Sequence, residues 1–213
     1  HGKKKVSLGT AAAMAFLNAR DPRAIKALRA GMIGLGYRAQ RFGHRLAKSL
    51  GLIQDSTRNP AATLGKPPVK TQVIHLLNKP MPPGMPSRTS RALLDIEDGT
   101  LIPVIRDPKR AAEPGDESGA VFYFPGCGSE RLFSQVGLAT QAMLWHVGAT
   151  TVLPPGYLCC GYPQTANGNE DRGQAITMQN RVLFHRVANT LNYLDIKTVL
   201  VSCGTCLDQL EKY

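Results

Sequence analysis

The last third of the chain alternates short apolar runs with longer stretches in which apolar residues recur at helical spacing. The short runs are residues 121–124, 150–153 and 197–202. Helical spacing after each run predicts helices over residues 132–147 and 171–194, and a further helix from Cys203 onward. Strands that alternate with helices pair in parallel through right-handed crossovers. We therefore predict an α/β fold, with a Rossmann-like parallel sheet, for residues 120–213.

The start of the chain predicts two helices, the second of them basic. Asp21 and Pro22 are typical of an N-cap and a first helical residue, and apolar spacing then continues to residue 33. Gly31, Gly34 and Gly36 follow, and each glycine weakens a helix by about 1 kcal/mol relative to alanine. We expect a break or a close helix contact there, and then a second helix over residues 37–50. One face of that helix carries four cations: Arg38, Arg41, Arg45 and Lys48.

Residues 55–119 predict an extended connector, because ten of the chain's 15 prolines interrupt any regular pattern there. Short elements are expected within it: helices over residues 71–78 and 88–94, and a strand or turn over residues 101–105. The predicted division of the chain has three parts: a basic helical segment (residues 1–54), the proline-rich connector with short helices (55–119) and an α/β domain truncated at its C-terminus (120–213).

Composition and charge narrow the class of protein. The chain has 213 residues and is 43% hydrophobic, so it can bury a core, and we found no transmembrane or signal-peptide pattern. We expect a cytoplasmic protein. All of the net charge of +11 lies in residues 1–120. Scarce aromatic residues there disfavour nucleic-acid binding, and we expect this basic surface either to be solvated or to dock an acidic neighbouring domain.

Five cysteines follow the predicted strands in the pattern C-x31-CC-x42-C-x2-C: Cys127, Cys159, Cys160, Cys203 and Cys206. Ligands of open parallel sheets bind beyond the carboxyl ends of the strands, so we expect all five thiols to share one site. A helix N-terminus favours thiolate at the CxxC motif, and thiolates bind soft metals. Gly126, Gly161 and Gly204 let the backbone approach a bulky inorganic group, and Tyr162 with Pro163 is expected to form a wall.

Each of these features also has an interpretation as an ordinary structural feature. A single cysteine is usually a small buried hydrophobe, and a CxxC pair also occurs in redox disulfides and as half of a zinc site. His146 and His185 lie on amphipathic helices, where packing or exposure is the more common role, and we expect even less of His44 and His75. We predict metal or cluster binding, and no catalytic residue within the chain.

Residues 122–207 resemble the CCG cysteine-rich domain of heterodisulfide reductases and of glycolate and lactate oxidase iron-sulfur subunits. The single cysteine, the Cys-Cys-Gly group and the CxxC motif stand in the family order. The second spacing, 42 residues, is longer than is usual, and we place the excess near residues 164–172. The chain also carries one such motif, where most members carry two. The resemblance implies a cluster ligated by these five cysteines, with 4Fe-4S favoured and structural zinc as the alternative.

A second resemblance covers nearly the whole chain. Four segments are similar to the C-terminal region of large bacterial FAD/FMN-containing dehydrogenases: PGCGSERLFSQVGLATQAMLWHVG, PPGYLCCGYPQ, NRVLFHRVANTLNYLDIKTV and SCGTC. The segments KPPVKTQVIHLLNKPMP and TSRALLDIEDG resemble the stretch before it. This implies a longer polypeptide, with FAD and ferredoxin-like domains upstream of His1, that oxidises a D-2-hydroxy acid. The chain would then be its iron-sulfur electron-transfer module, with no substrate turnover of its own and an unidentified acceptor. The alternative is a zinc-stabilised structural or protein-binding module.

Overall fold

The computed structural model describes residues 8–53, 77–109 and 119–213. It divides into two compact units. The first combines His1–Ala27 with Arg88–Tyr213, and the second is Leu28–Ser87. The three-part division predicted from the sequence stays a prediction, but pieces of the expected connector lie in the same unit as the α/β domain.

Four strands in the order β1-β3-β2-β4 form the sheet of the first unit. Their bounds are β1 (Val104–Ile105), β2 (Ala120–Phe124), β3 (Thr150–Val152) and β4 (Thr198–Val201). The central strand β2 pairs in parallel with both neighbours, and Phe122 lies opposite Val152 on one side and Val199 on the other. The parallel α/β fold is therefore confirmed. β1 pairs antiparallel with β3, so the proline-rich stretch supplies an edge strand.

Helices of the described residues, in chain order, are α1 (Leu8–Asn18), α2 (Pro22–Arg29), α3 (Gly36–Ser49), α4 (Ser90–Leu93), α5 (Ser134–His146), α6 (Tyr162–Ala166), α7 (Glu170–Thr190) and α8 (Gly204–Leu210). A 3-10 turn follows α7 at Asn192–Leu194, and two π-helical segments occur at Ala30–Leu35 and Gly128–Leu132. Within these residues no helix is both long and apolar enough to cross a bilayer.

Most predicted elements appear, with differences that have local causes. Asp21 caps α2 by accepting a hydrogen bond from the backbone N–H of Arg23, as expected. The glycine-rich stretch Ala30–Leu35 does not interrupt the helix. It forms a π-helix that continues into α3. Predicted helix 88–94 and strand 101–105 shorten to α4 and β1. Most of predicted helix 71–78 lies outside the described residues. Helix α1 was not predicted.

The core lies between β2 and α7. Phe122 and Phe124 project from one face of β2 and meet the ring of Phe184 edge-on, with ring centroids 5.0 and 5.8 Å apart. Burying one such side chain stabilises the fold by roughly 1.5–3 kcal/mol. Cys160 and Cys206 belong to the same buried cluster. The cysteine-bearing loops are therefore continuous with the core.

Within the second unit, α3 holds the proline-rich chain through its buried polar residues. Gln40 donates to the carbonyl of Lys79 at 2.8 Å and accepts from the N–H of Met81 at 2.9 Å. The Nδ1 atom of His44 lies 2.6 Å from the carbonyl oxygen of Leu77. These side chains satisfy backbone groups that proline-rich chain cannot pair in regular structure. His44 is thus a structural residue of this unit.

A buried ion pair ties α4 to the loop that precedes Cys159. Arg91 and Glu130, both almost fully buried, form a close ion pair. Arg91 also donates to the carbonyls of Pro154 at 2.6 Å and Ile96 at 3.2 Å, and Glu130 accepts from the backbone N–H of Leu158. Charges are tolerated in a core only when they are paired and hydrogen-bonded in this way.

Removing one partner of this pair should destabilise the fold, because the other charge then stays buried without a partner. We expect Arg91→Met to lower the free energy of unfolding by about 3–5 kcal/mol, measured by urea denaturation. Lys197→Met is the matched control, since Lys197 and Asp195 pair at 2.8 Å with side chains 71% exposed; we expect at most about 1 kcal/mol there. Equal, small losses in both variants would contradict the structural role given to Arg91.

Candidate functional site

Three loops at one edge of the sheet carry the five cysteines. Cys127 lies just after β2, Cys159 and Cys160 lie in the loop after β3, and Cys203 with Cys206 stands at the start of α8 after β4. All five are free thiols. The structure therefore brings the residues predicted from the sequence to one place.

The thiols interact in a connected series. The Sγ atoms of Cys127 and Cys159 lie 3.8 Å apart. Side-chain interactions that shift thiol pKa values then link Cys159 to Cys160, Cys160 to Cys206, and Cys206 to Cys203. Across the part of the chain that the structure describes, no group of three or more His, Cys, Asp or Glu side chains is arranged to hold a single metal ion. The contacts are thus pairwise.

Burial separates one cysteine from the rest. Cys159, Cys160 and Cys206 are 5%, 1% and 3% exposed, and Cys127 is partly buried. Cys203 is exposed, and its Sγ lies 2.9 Å from Oγ1 of Thr205. The site therefore has a dry interior and one thiol that faces solvent.

Mutual hydrogen bonding gives the buried thiols unequal acidity. Hydrogen bonding with Cys127 and then with Cys160 lowers the pKa of Cys159 well below its usual value. The same hydrogen bond, followed by burial, raises the pKa of Cys127, and the interaction with Cys159 likewise raises the pKa of Cys160. Of these three thiols, Cys159 therefore favours the thiolate form most.

Backbone amides at two helix starts face the sulfurs. The N–H groups of Gly161 and Tyr162 donate to Cys159 and Cys160 where α6 begins. At the start of α8, Thr205 hydrogen-bonds the sulfur of Cys203 through its side chain and also through its backbone N–H, and the pKa of Cys203 falls. Such donors favour the negatively charged thiolate, which is the form that binds metals.

At two of the three predicted positions, the absence of a Cβ lets neighbouring atoms lie close to the glycine backbone. Gly126 has φ +67°, and a Cβ there would stand 2.7 Å from Sγ of Cys206. Gly161 has φ +94°, and its Cβ would stand 2.9 Å from the carbonyl oxygen of Gly173. At Gly204 a Cβ would meet no described atom within 4 Å. Tyr162 is 36% exposed and begins α6 beside the thiols. The cofactor-binding roles of all four residues stay predictions.

Two supporting residues were not found from the sequence. Asn180 of α7 donates to the carbonyl of Cys159 at 2.7 Å and to the hydroxyl of Tyr213 at 3.0 Å. Tyr213 donates in turn to the carbonyl of Cys160 at 2.9 Å, and burial raises the pKa of Tyr213 to about 12, which keeps its proton in place. The available sequence signal was Asn180 itself, a polar residue four positions after Ile176 on the buried face of α7.

Arg131 is a cation whose charge acts on the thiols, and it was also missed. Its side chain is fully buried, and its charge interacts with those of Cys127 and Cys159. Nη1 donates to the carbonyls of Phe16, at 2.8 Å, and Leu17 at the end of α1. The position four residues after Cys127 was the only sequence signal. Arg131 therefore joins α1 to the cysteine site.

The remaining histidine predictions can now be placed. His146 is the last residue of α5, and His185 lies on α7, where it lines a cavity together with Tyr213. The expectation that neither histidine ligates a metal stays a prediction. His75 lies outside the described residues.

Comparisons with known proteins agree with this geometry. The family model of the CCG cysteine-rich domain matches residues 121–211. The chain is 27% identical over 106 residues to the probable glycolate oxidase iron-sulfur subunit of Bacillus subtilis, which covers 50% of this chain and 22% of that protein. It is 28% identical over 99 residues to an uncharacterized iron-sulfur protein of Methanococcus maripaludis, covering 46% of this chain and 19% of that protein. The matches span about a fifth of these relatives. No solved structure matches.

The matched region contains the whole sheet except β1 and the first residue of β2, together with all five cysteines in the order that the resemblance required. Residues 121–211 of this chain are therefore similar to CCG cysteine-rich domains.

Proposed function

We propose that this chain binds an iron-sulfur cluster through its five cysteines and serves as an electron-transfer module. The observation that carries the proposal is the group of five free thiols, contributed by three loops and linked pair by pair at one edge of the sheet. Thiolates are the ligands of iron-sulfur clusters. Five free cysteines also fit a reducing compartment, and we propose the cytoplasm.

The donor set and its surroundings fit such a group. When bound, an iron-sulfur cluster supplies a centre that takes up and releases single electrons. Cys127, Cys159, Cys160, Cys203 and Cys206 would hold it. We propose a 4Fe-4S cluster, which would need four protein thiolates, so one of the five cysteines would be in excess of that number.

The chain's own residues would prepare and tune that site. Backbone N–H groups of Gly161 and Tyr162 hydrogen-bond the sulfurs, and hydrogen bonds to sulfur are one determinant of cluster potential. Burial of Cys159, Cys160 and Cys206 excludes water, and the guanidinium of Arg131 offsets negative charge on Cys159. Asn180 and Tyr213 fix the backbone of the Cys-Cys pair.

The wider setting of the module is also a proposal. One relative carries the name glycolate oxidase iron-sulfur subunit, which supports a role beside a flavin enzyme that oxidises a D-2-hydroxy acid of the lactate or glycolate type. We propose upstream flavin and ferredoxin-like domains in the same polypeptide, with FAD bound there and not by this chain.

Iron and sulfide analysis tests the cluster directly. Protein purified without oxygen should contain about four irons and about four sulfides per chain, with visible absorbance and an electron paramagnetic resonance signal on reduction or oxidation. Cys160→Ser should lose most of the iron, because the least exposed of the thiols is replaced by a poor ligand. His185→Ala is the control and should keep it, since His185 lies on α7 outside the site.

A zinc-stabilised module without redox activity predicts the opposite result. One zinc per chain, no sulfide and no visible absorbance would replace the proposed function by that alternative.

The positive-φ glycine beside the Cys-Cys pair gives a second test. Gly161→Ala should lower the free energy of unfolding by about 1–3 kcal/mol and reduce iron content, because alanine is strained at φ +94° and its Cβ meets the carbonyl of Gly173. Denaturation and iron assays on the same preparations measure both.

Gly204→Ala is the matched comparison. A Cβ there meets no described atom within 4 Å, so the free energy of unfolding should change by at most about 1 kcal/mol. If Gly204 shapes the cluster site, the Gly204→Ala variant should lose iron while its free energy of unfolding stays unchanged. Unchanged stability in Gly161→Ala would contradict the strain argument.

A further inference from the structure

A polar cavity of about 200 Å³ lies beside Cys159, and three arginines line it. Arg20 comes from the turn after α1, Arg131 from the segment after Cys127, and Arg172 from the first turn of α7. Cys159, Asn18 and Gln179 are also in its wall. Among the described residues that line this cavity, none is a carboxylate. The cavity is therefore strongly positive.

Arg131 lines this cavity and keeps two guanidinium nitrogens without a hydrogen-bond partner. The side chain is fully buried, and Nη1 donates to the carbonyls at the end of α1. The Nε and Nη2 atoms are buried with no hydrogen-bond partner. A buried donor without a partner destabilises a fold, so native structures seldom keep one unless a water or a ligand binds it.

The other two arginines keep exposed side chains at the same cavity. Arg20 donates to Oε1 of Gln179 at 3.0 Å, which fixes its head group across from α7. The buried carboxylate of Glu130 is paired with Arg91 and also interacts with the charge of Arg131, but it does not line the cavity.

We propose that this cavity binds a small anion through a carboxylate group, next to the cysteine site. Planar guanidinium groups match carboxylate in a two-bond fork, and Arg131 has two adjacent N–H groups free for one. The volume admits a small organic acid and is too small for a nucleotide. This ligand site goes beyond the proposed electron transfer, and it does not require a metal.

Calorimetric titration tests the site with malonate and acetate as probes, in chloride-free buffer at low ionic strength, on the anaerobically purified chain. We expect saturable binding at one site, and no binding of the neutral analogue acetamide. Arg20→Gln and Arg172→Gln should each weaken malonate binding by roughly tenfold, as expected for loss of one charge-assisted hydrogen bond. Both side chains are exposed, so both variants should fold.

Arg186→Gln is the matched control, because Arg186 is an exposed arginine on the same helix, α7, outside the cavity lining. It should leave malonate affinity within about twofold. Absence of saturable binding, or equal weakening in Arg186→Gln, would overturn the site. Sulfate binding more tightly than both carboxylates would overturn the assignment of ligand class.

Iron content measured on the same samples separates the two proposals. Iron-free protein that binds malonate supports this site and contradicts cluster binding. Iron-loaded protein that fails to bind malonate overturns this site alone.

Discussion

Parallel pairing of β2 with both β3 and β4 is the constraint on which the rest of the molecule depends. Parallel strands end at the same edge of a sheet, so the loops that follow them must meet there. The cysteines occupy these loops and are brought together although up to 79 positions separate them in the sequence. A change that shifted the register of β2 would therefore move the thiols apart.

Buried polar side chains convert that convergence into a defined site. Arg91 and Glu130 hold the loop before Cys159, and Asn180 with Tyr213 holds the Cys-Cys backbone. These residues hydrogen-bond carbonyl or amide groups that a loop cannot pair by itself. Each therefore links the stability of the fold to the placement of the sulfurs.

Charge is the second organising property of the site. Hydrogen bonding with neighbouring thiols and with a backbone N–H lowers the pKa of Cys159, and Arg131 adds a positive charge in a buried environment. Interactions between charges strengthen where water is excluded. The same arginine faces both the thiols and the polar cavity, so the site we assign to a cluster and the site we assign to a carboxylate share one cation.

Local sequence pattern was enough to predict the three parallel strands, the helices after them and the convergence of five cysteines, because the periodicity of each element and the order of elements can be read along the chain. It did not reveal helix α1 or the antiparallel pairing of β1 with β3. It also missed Arg91, Arg131 and Asn180, whose partners lie far away in sequence: 115 positions separate Arg131 from Phe16. Whether a polar residue is buried and paired depends on what packs around it, and only the tertiary structure decides that.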